Sequence, residues 1–163
     1  MDGLSTETDQ DSAEVEALFD LCFAPGREAL SSYRLRDGVP PVRDLCLLWR
    51  DADGILGAAI RHWPVRIGGA PVLLLGPVAV HPTRQGEGLG GLLMRAALSR
   101  AADLGWERVL LVGDAPYYAR FGFERLNDVR MPPPTNPDRV LGIALRNGAW
   151  DGVSGPVERA ARD

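Results

Sequence analysis

Gly76-Pro-Val-Ala-Val-His-Pro-Thr-Arg-Gln-Gly-Glu-Gly-Leu-Gly-Gly-Leu-Leu-Met94 is the stretch from which the rest of this chain is read. It passes from an apolar strand through a glycine-rich turn into the start of an amphipathic helix. Such a turn gathers backbone N–H groups and the positive end of a helix macrodipole around one point, a geometry suited to a phosphate. Gly86, Gly88 and Gly90 carry no Cβ, so the backbone can come close to phosphate oxygens. The expectation is a protein that holds a phosphorylated cofactor.

Outward from this stretch, the helix over about Gly88 to Leu104 is the surest element. Leu89, Leu92, Leu93, Ala96, Ala97 and Leu104 line one face, and Gly105 is placed to end it. Upstream, Val72 to Val80 reads as a strand preceded by a Gly68-Gly69 turn. Leu45–Trp49 and Ile55–Ile60 flank Asp51-Ala-Asp-Gly54, a hairpin signature. Ser12 reads as the N-cap of a helix carrying Val15, Leu18, Phe19 and Cys22, which Pro25-Gly26 ends. A second helix is expected from about Arg27 to Leu35. Downstream, Arg108 to Val112 has the pattern of a buried strand, Pro116 opens a short helix and Gly122 closes it. Phe123–Met131 and Val140–Arg146 read as a final strand pair joined by the proline-rich 132–137. The sum is one mixed α/β (α+β) domain spanning residues 1–163, with residues 1–11 and 155–163 as loose termini.

Composition narrows the function. The net charge is -4, and all 18 cationic side chains are arginine. Neither nucleic acid nor a membrane is expected as partner, and without lysine a Schiff-base mechanism is excluded. No apolar run approaches the roughly 20 residues of a membrane span. The acidic N-terminus lacks the features of a signal peptide, so a cytoplasmic location is expected. Cys22, Cys46, His62 and His81 lack metal-ligand spacing, so no metal is expected.

Gly86-x-Gly88-x-x-Gly91 matches the dinucleotide fingerprint formally, with Asp114 at a suitable distance. Its context does not: His81-Pro-Thr-Arg-Gln85 separates the strand from the glycines, and only one βαβ unit follows. A P-loop is excluded because no Gly-Lys-Ser/Thr is present. Gln85-Gly-Glu-Gly88-Leu-Gly90 instead resembles the Q/R-x-x-G-x-G/A motif of the GCN5-related N-acetyltransferases (GNAT). Gly76-to-Pro82 is similar to that family's fourth strand, Val109-Leu-Leu-Val-Gly-Asp114 to its fifth, and Pro116-Tyr-Tyr-Ala-Arg-Phe-Gly-Phe123 to the short helix with its closing Gly-Phe. The likeness covers about residues 42–148 and is greatest to the YhbS-like subgroup of bacterial members.

The resemblance implies a largely antiparallel sheet of about 6–7 strands and about four helices, with strands four and five splayed around a thioester. It implies acetyl coenzyme A as co-substrate, an amine acceptor, and a pyrophosphate held by Gln85, Gly86, Glu87, Gly88, Leu89, Gly90 and Gly91. Val78, Ala79 and Val80 would offer backbone to the pantetheine arm. Glu87 departs from the family, and its side chain is expected to face solvent. By its place before Gly-Phe, Tyr118 is the implied general acid, with Tyr117 the nearest competitor. The general base stays open among His62, His81, Asp114 and Glu124; Asp114 also suits a helix cap. The acceptor is not legible, and the family admits a homodimer. A non-catalytic acyl-coenzyme-A sensor of the same fold is the competing reading.

Overall fold

Residues 3–23 and 31–160 are described by a computed structural model. The strands are β1 (Leu4–Thr6), β2 (Leu47–Arg50), β3 (Leu56–Ile67), β4 (Ala70–Val80), β5 (Arg108–Val112), β6 (Glu124–Arg125), β7 (Val129–Arg130), β8 (Val140–Ala144) and β9 (Gly155–Arg159). The helices are α1 (Ser12–Cys22), α2 (Ser31–Arg36), α3 (Leu89–Asp103) and α4 (Ala115–Ala119). The sheet runs β1-β2-β3-β4-β5-β8-β6, with β9 beside β3 and β7 beside β9. Most pairs are antiparallel, and β4–β5 is parallel.

The middle strands are apolar on both faces, as a sheet covered on both sides requires. Successive residues alternate between two layers. Ala58 and Ile60 of β3, Leu73 and Leu75 of β4, and Val109 and Leu111 of β5 meet Leu89, Leu93, Met94, Ala97 and Ala101 of α3. On the opposite face, Ala59 and Ala79 pack with Val15, Leu18 and Phe19 of α1. Val65, Val72, Leu74 and Leu110 pack with Leu35 of α2. Gly105, at φ +93°, ends α3 in a Schellman motif: its N–H donates to Ala102 and that of Trp106 to Ala101.

Two expectations need correction. Leu4–Glu7 and Gly155–Arg159, within the stretches expected to be loose, are tied down. Leu4–Thr6 pairs with β2, and the neighbouring Glu7 makes a buried two-pronged ion pair with Arg61 (2.9 and 2.7 Å). Gly155–Arg159 fills the edge of β3 at Val65–Ile67 that β2 leaves open beyond Ile60, and buries Val157. These added strands raise the sheet to nine. The strand expected over Phe123–Met131 is broken into β6 and β7. β6 stays on β8, whereas Val129 and Met131 turn into the second core cluster and β7 pairs with β9 in parallel. Of the second helix, Ser31–Arg36 is helical, and the expected start at Arg27 and the Pro25-Gly26 stop lie outside the described residues.

His62 lies inside β3, fully buried, with Nδ1 2.7 Å from the Leu45 carbonyl. Burial pushes its pKa from 6.5 down to about 4, partly offset by that hydrogen bond. It is therefore neutral in the folded state and donates through Nδ1–H. Above pH 6.5 both folded and unfolded chains carry it neutral, and stability is at its full value. Between 6.5 and 4 only the unfolded chain binds the proton, so stability falls as pH falls, by up to about 3 kcal/mol. Denaturant titrations at pH 7.5 and 4.5 should show this loss, and His62→Asn should flatten it. A parent with equal stability at both pH values would refute the assignment.

Candidate active site

The site begins where β4 parts from β5. Their pairing is confined to Leu73–Val109 and Leu74–Leu110, yet β4 continues to Val80. The cause lies in β4: three residue steps of β4 (Leu75 to Val78) span the same ladder distance as two of β3 (Ile60 to His62). This bulge falls on Gly76-Pro77, and proline has no N–H for the ladder. A slot of about 150 Å³ opens there, lined by Leu74 to Val78, Val112, Tyr118, Phe23, Tyr33 and Arg36.

Beyond the bulge, the His81 N–H donates to Gly57 (2.8 Å) and Ala79 stands opposite Ala59. Antiparallel pairs alternate, so the backbone of Ala79 is turned to β3 and those of Val78 and Val80 are turned to the gap. Val80 and Val78 thus present N–H and C=O groups there, and Ala79 does not. The Val80 carbonyl accepts from Gln85 Nε2 (2.9 Å) and from Cys22 Sγ (3.3 Å), so Gln85 fixes the turn to the strand end.

The glycine turn forms a second, adjoining cavity of about 370 Å³, lined by Val80, Gln85, Gly86, Gly88 to Gly91, Arg84, Arg95, Tyr117, Arg120 and Phe121. Gly86 and Gly88 take φ of +88° and +79°, a region that L side chains avoid, and a Cβ on either would meet only open space. Among the described residues, no backbone carbonyl accepts from the N–H of Gly86, Glu87 or Gly88. With the N–H groups of the first turn of α3 they form a set of free donors at a helix N-terminus. Glu87 is exposed and pairs with Arg84 (3.4 Å), which is also paired with Asp51. Its charge is thereby directed to Arg84.

The two tyrosines separate. A Cβ on Gly90 would lie 3.4 Å from the Tyr117 hydroxyl, so that group sits over the first turn of α3, in the phosphate-sized cavity. Tyr118 lies on the other side, in the slot. Its ring is held edge-on to Tyr117 (4.9 Å between centroids) and Phe123 (6.0 Å), and a Cβ on Gly113 would stand 2.5 Å from Tyr118 Cε2. Burial, then the nearby Tyr117, push the Tyr118 pKa up to about 12. The hydroxyl keeps its proton throughout the physiological range.

The other titratable residues divide clearly. Asp114 caps α4 by accepting from the Tyr117 N–H (3.1 Å). His81 Nδ1 accepts from the Thr83 N–H (3.2 Å) and lies outside the slot. Glu124 is exposed on β6, and His62 is engaged with Leu45. None of the four lines the slot. Sequence reading missed Arg95, Arg120 and Arg36. The Tyr-Tyr-Ala-Arg segment pointed at Arg120, and helical spacing from Gly91 could have found Arg95, whose Nη1 lies 3.0 Å from where a Gly91 Cβ would be. Among the described residues no cluster of metal-ligating side chains occurs, and no helix is long and apolar enough to cross a membrane.

This arrangement has counterparts. The acetyltransferase (GNAT) domain pattern matches residues 43–125. The N-acetyltransferase YhbS of Escherichia coli K12 is 30% identical over 153 residues, covering 91% of this chain and 90% of that protein. The crystal structure of E. coli YhbS in complex with CoA superposes with a TM-score of 0.83 at 28% identity, over 96% of this chain and 88% of that one. A GNAT-family acetyltransferase of Brucella melitensis in complex with acetyl-CoA gives 0.72 at 30% identity, over 97% and 95%. The chain belongs to the GNAT acetyltransferase family and so to the acyltransferases.

Proposed function

We propose that this protein transfers the acetyl group of acetyl coenzyme A directly to an amine. The observation that carries the reading is the continuity of three parts: a turn of free N–H donors, a strand edge turned outward, and a slot with a protonated tyrosine. The CoA and acetyl-CoA held by the E. coli and Brucella relatives support the donor assignment. A cofactor pyrophosphate would lie on the N–H groups of Gln85 to Gly91, countered by Arg95 and Arg120. Val78 and Val80 would pair with the amides of the pantetheine arm as a further strand would.

Acetyl coenzyme A supplies an acyl carbon activated as a thioester. The amine nitrogen forms the new bond to that carbon, and the carbon–sulfur bond breaks. The Tyr118 hydroxyl donates to the departing sulfur, and the proton lost by the amine leaves for solvent. With a pKa near 12, Tyr118 is a weaker acid than a free thiol, whose reference value is about 8.5. Its contribution is thus a hydrogen bond that strengthens as charge develops on sulfur. Neither cysteine suits a covalent route: burial raises the thiol pKa of both Cys22 and Cys46. Tyr117, on the phosphate side, is placed to bind and not to donate to sulfur.

Five measurements test this reading. Saturating acetyl coenzyme A should raise the melting temperature, because a ligand of the native state stabilises it; no shift would overturn the proposal. Tyr118→Phe should lower kcat by about 10²-fold or more, with the affinity for acetyl coenzyme A within a few fold of the parent. A parent without turnover on a broad amine panel, but with the thermal shift, would mark a sensor instead. Gly88→Ala should weaken coenzyme binding at least tenfold by calorimetry, since its Cβ enters the phosphate space in a strained backbone. Gly113→Ala should displace the Tyr118 ring and lower kcat while coenzyme binding persists; unchanged kcat would show that the position of this ring is unimportant.

A further inference from the structure

The slot holds a cation that acetyl transfer does not use. Arg36, the last residue of α2, lines the slot with Tyr118 and also lines a more open groove of about 540 Å³ beside it. Its guanidinium is sandwiched between two rings: Cζ lies 3.8 Å from the Tyr33 centroid and 3.7 Å from that of Trp63. The Trp63 ring is fixed by a hydrogen bond from Nε1 to the Val39 carbonyl (3.1 Å). It also occupies space that a side chain on Gly76 would take, 2.7 Å from the position of a Cβ. The bulge that opens the slot therefore also admits the tryptophan that holds the arginine.

The sandwich covers both faces of the guanidinium, so that only the edge in its plane is left for hydrogen bonds. In that plane Nε and Nη1 are buried and make no hydrogen bond. No carboxylate among the described residues forms an ion pair with Arg36. Among the described residues, the carboxylate that acts on it, Glu16, is paired with Arg61. Burial lowers the pKa of Arg36; Tyr33, which also hydrogen-bonds the Arg36 side chain, opposes this, and the neighbouring Arg61 adds a smaller lowering. A half-buried cation with no ion-pair partner among the described residues is costly, and ring stacking offsets only part of that cost.

We infer that Arg36 receives a carboxylate of the acceptor, so that the substrate class is small amino carboxylic acids. This inference rests on the acetyl-transfer reading above. The edge of a stacked guanidinium, with its in-plane N–H donors, matches a planar carboxylate. One negative charge neutralises one guanidinium, whereas a phosphate dianion would leave a second charge unpaired in a slot of about 150 Å³. Arg36 orients the acceptor from the side of the slot formed by α2, with Tyr118 on the side formed by α4.

The test compares glycine, β-alanine and glutamate with methylamine, propylamine and 3-aminopropylphosphonate, reading thiol release from acetyl coenzyme A. The parent should favour the carboxylates in kcat/KM. Arg36→Met should reduce the ratio of carboxylate to plain amine by about 10- to 100-fold, chiefly through KM, as expected for one lost charged hydrogen-bonding partner. Arg36→Lys should restore only part of it. Equal kcat/KM for carboxylates and plain amines, preference for the phosphonate, acetylation of peptide N-termini alone, or an unchanged ratio in Arg36→Met would overturn the inference. If the parent binds acetyl coenzyme A but turns over none of these, the acetyl-transfer reading fails separately. Calorimetric titration of the same acceptors into the CoA-saturated protein then decides: Arg36-dependent binding of the carboxylates supports the site, and its absence overturns it.

Discussion

Two residue pairs, Leu73–Val109 and Leu74–Leu110, make up the whole ladder between β4 and β5, and the candidate site follows from where that pairing stops. A sheet gains from continuing its ladder, so a break in mid-sheet needs a local cause. Gly76-Pro77 is that cause: it adds a residue to β4 against β3 and removes a donor. Past it, β4 stays bonded to β3 on one side and leaves Val78 and Val80 with outward-facing backbone groups on the other. Core packing against α3 and α1 holds both strands in place, so the gap cannot close by collapse. The same glycine makes room for Trp63. One irregularity thus creates the slot, frees a strand edge and seats an aromatic wall.

The second constraint is the direction of α3. Its buried face (Leu89, Leu93, Met94, Ala97 and Ala101) fixes the helix across β2 to β4, which aims its N-terminus at the end of β4. Gly86 and Gly88 let the chain reverse with positive φ and leave their N–H groups unspent. Gln85 ties the turn to the Val80 carbonyl. The donors at the turn therefore follow directly on the outward-facing edge of β4, whose other end lines the slot. Arginine supplies positive charge beside the turn, at Arg95 and Arg120. Arg84 is largely spoken for by Asp51 and Glu87.

Much of this was legible in the chain. The strand–turn–helix from Gly76, the end of α3 at Gly105, the capping role open to Asp114 and the short helix before Gly122 all rest on interactions within a few residues of one another. Local chemistry decides such features, so the sequence alone sufficed. Where long-range pairing decides, reading by periodicity fell short. β1 and β9 are short and mostly polar, and become strands only because the edges of β2 and β3 await partners. β6 and β7 separate because Val129 and Met131 find a distant core cluster.

By itself, the sequence determined that a phosphate-sized turn follows an apolar strand, that a Tyr-Tyr pair follows in a short helix, and that the whole resembles an acetyltransferase. Those are matters of residue type and spacing along one segment. The tertiary structure decided which tyrosine faces the slot and which faces the turn, since adjacent helical residues point about 100° apart and only packing sets the reference direction. It also placed His62 in the core, against the Leu45 carbonyl and away from the slot. Tyr33 and Arg36 are neighbours three residues apart on α2, but Trp63 joined them only through the meeting of α2 with β3. No spacing along the chain encodes that contact: the two segments are joined by packing against a shared core, and their proximity exists only once that core has formed.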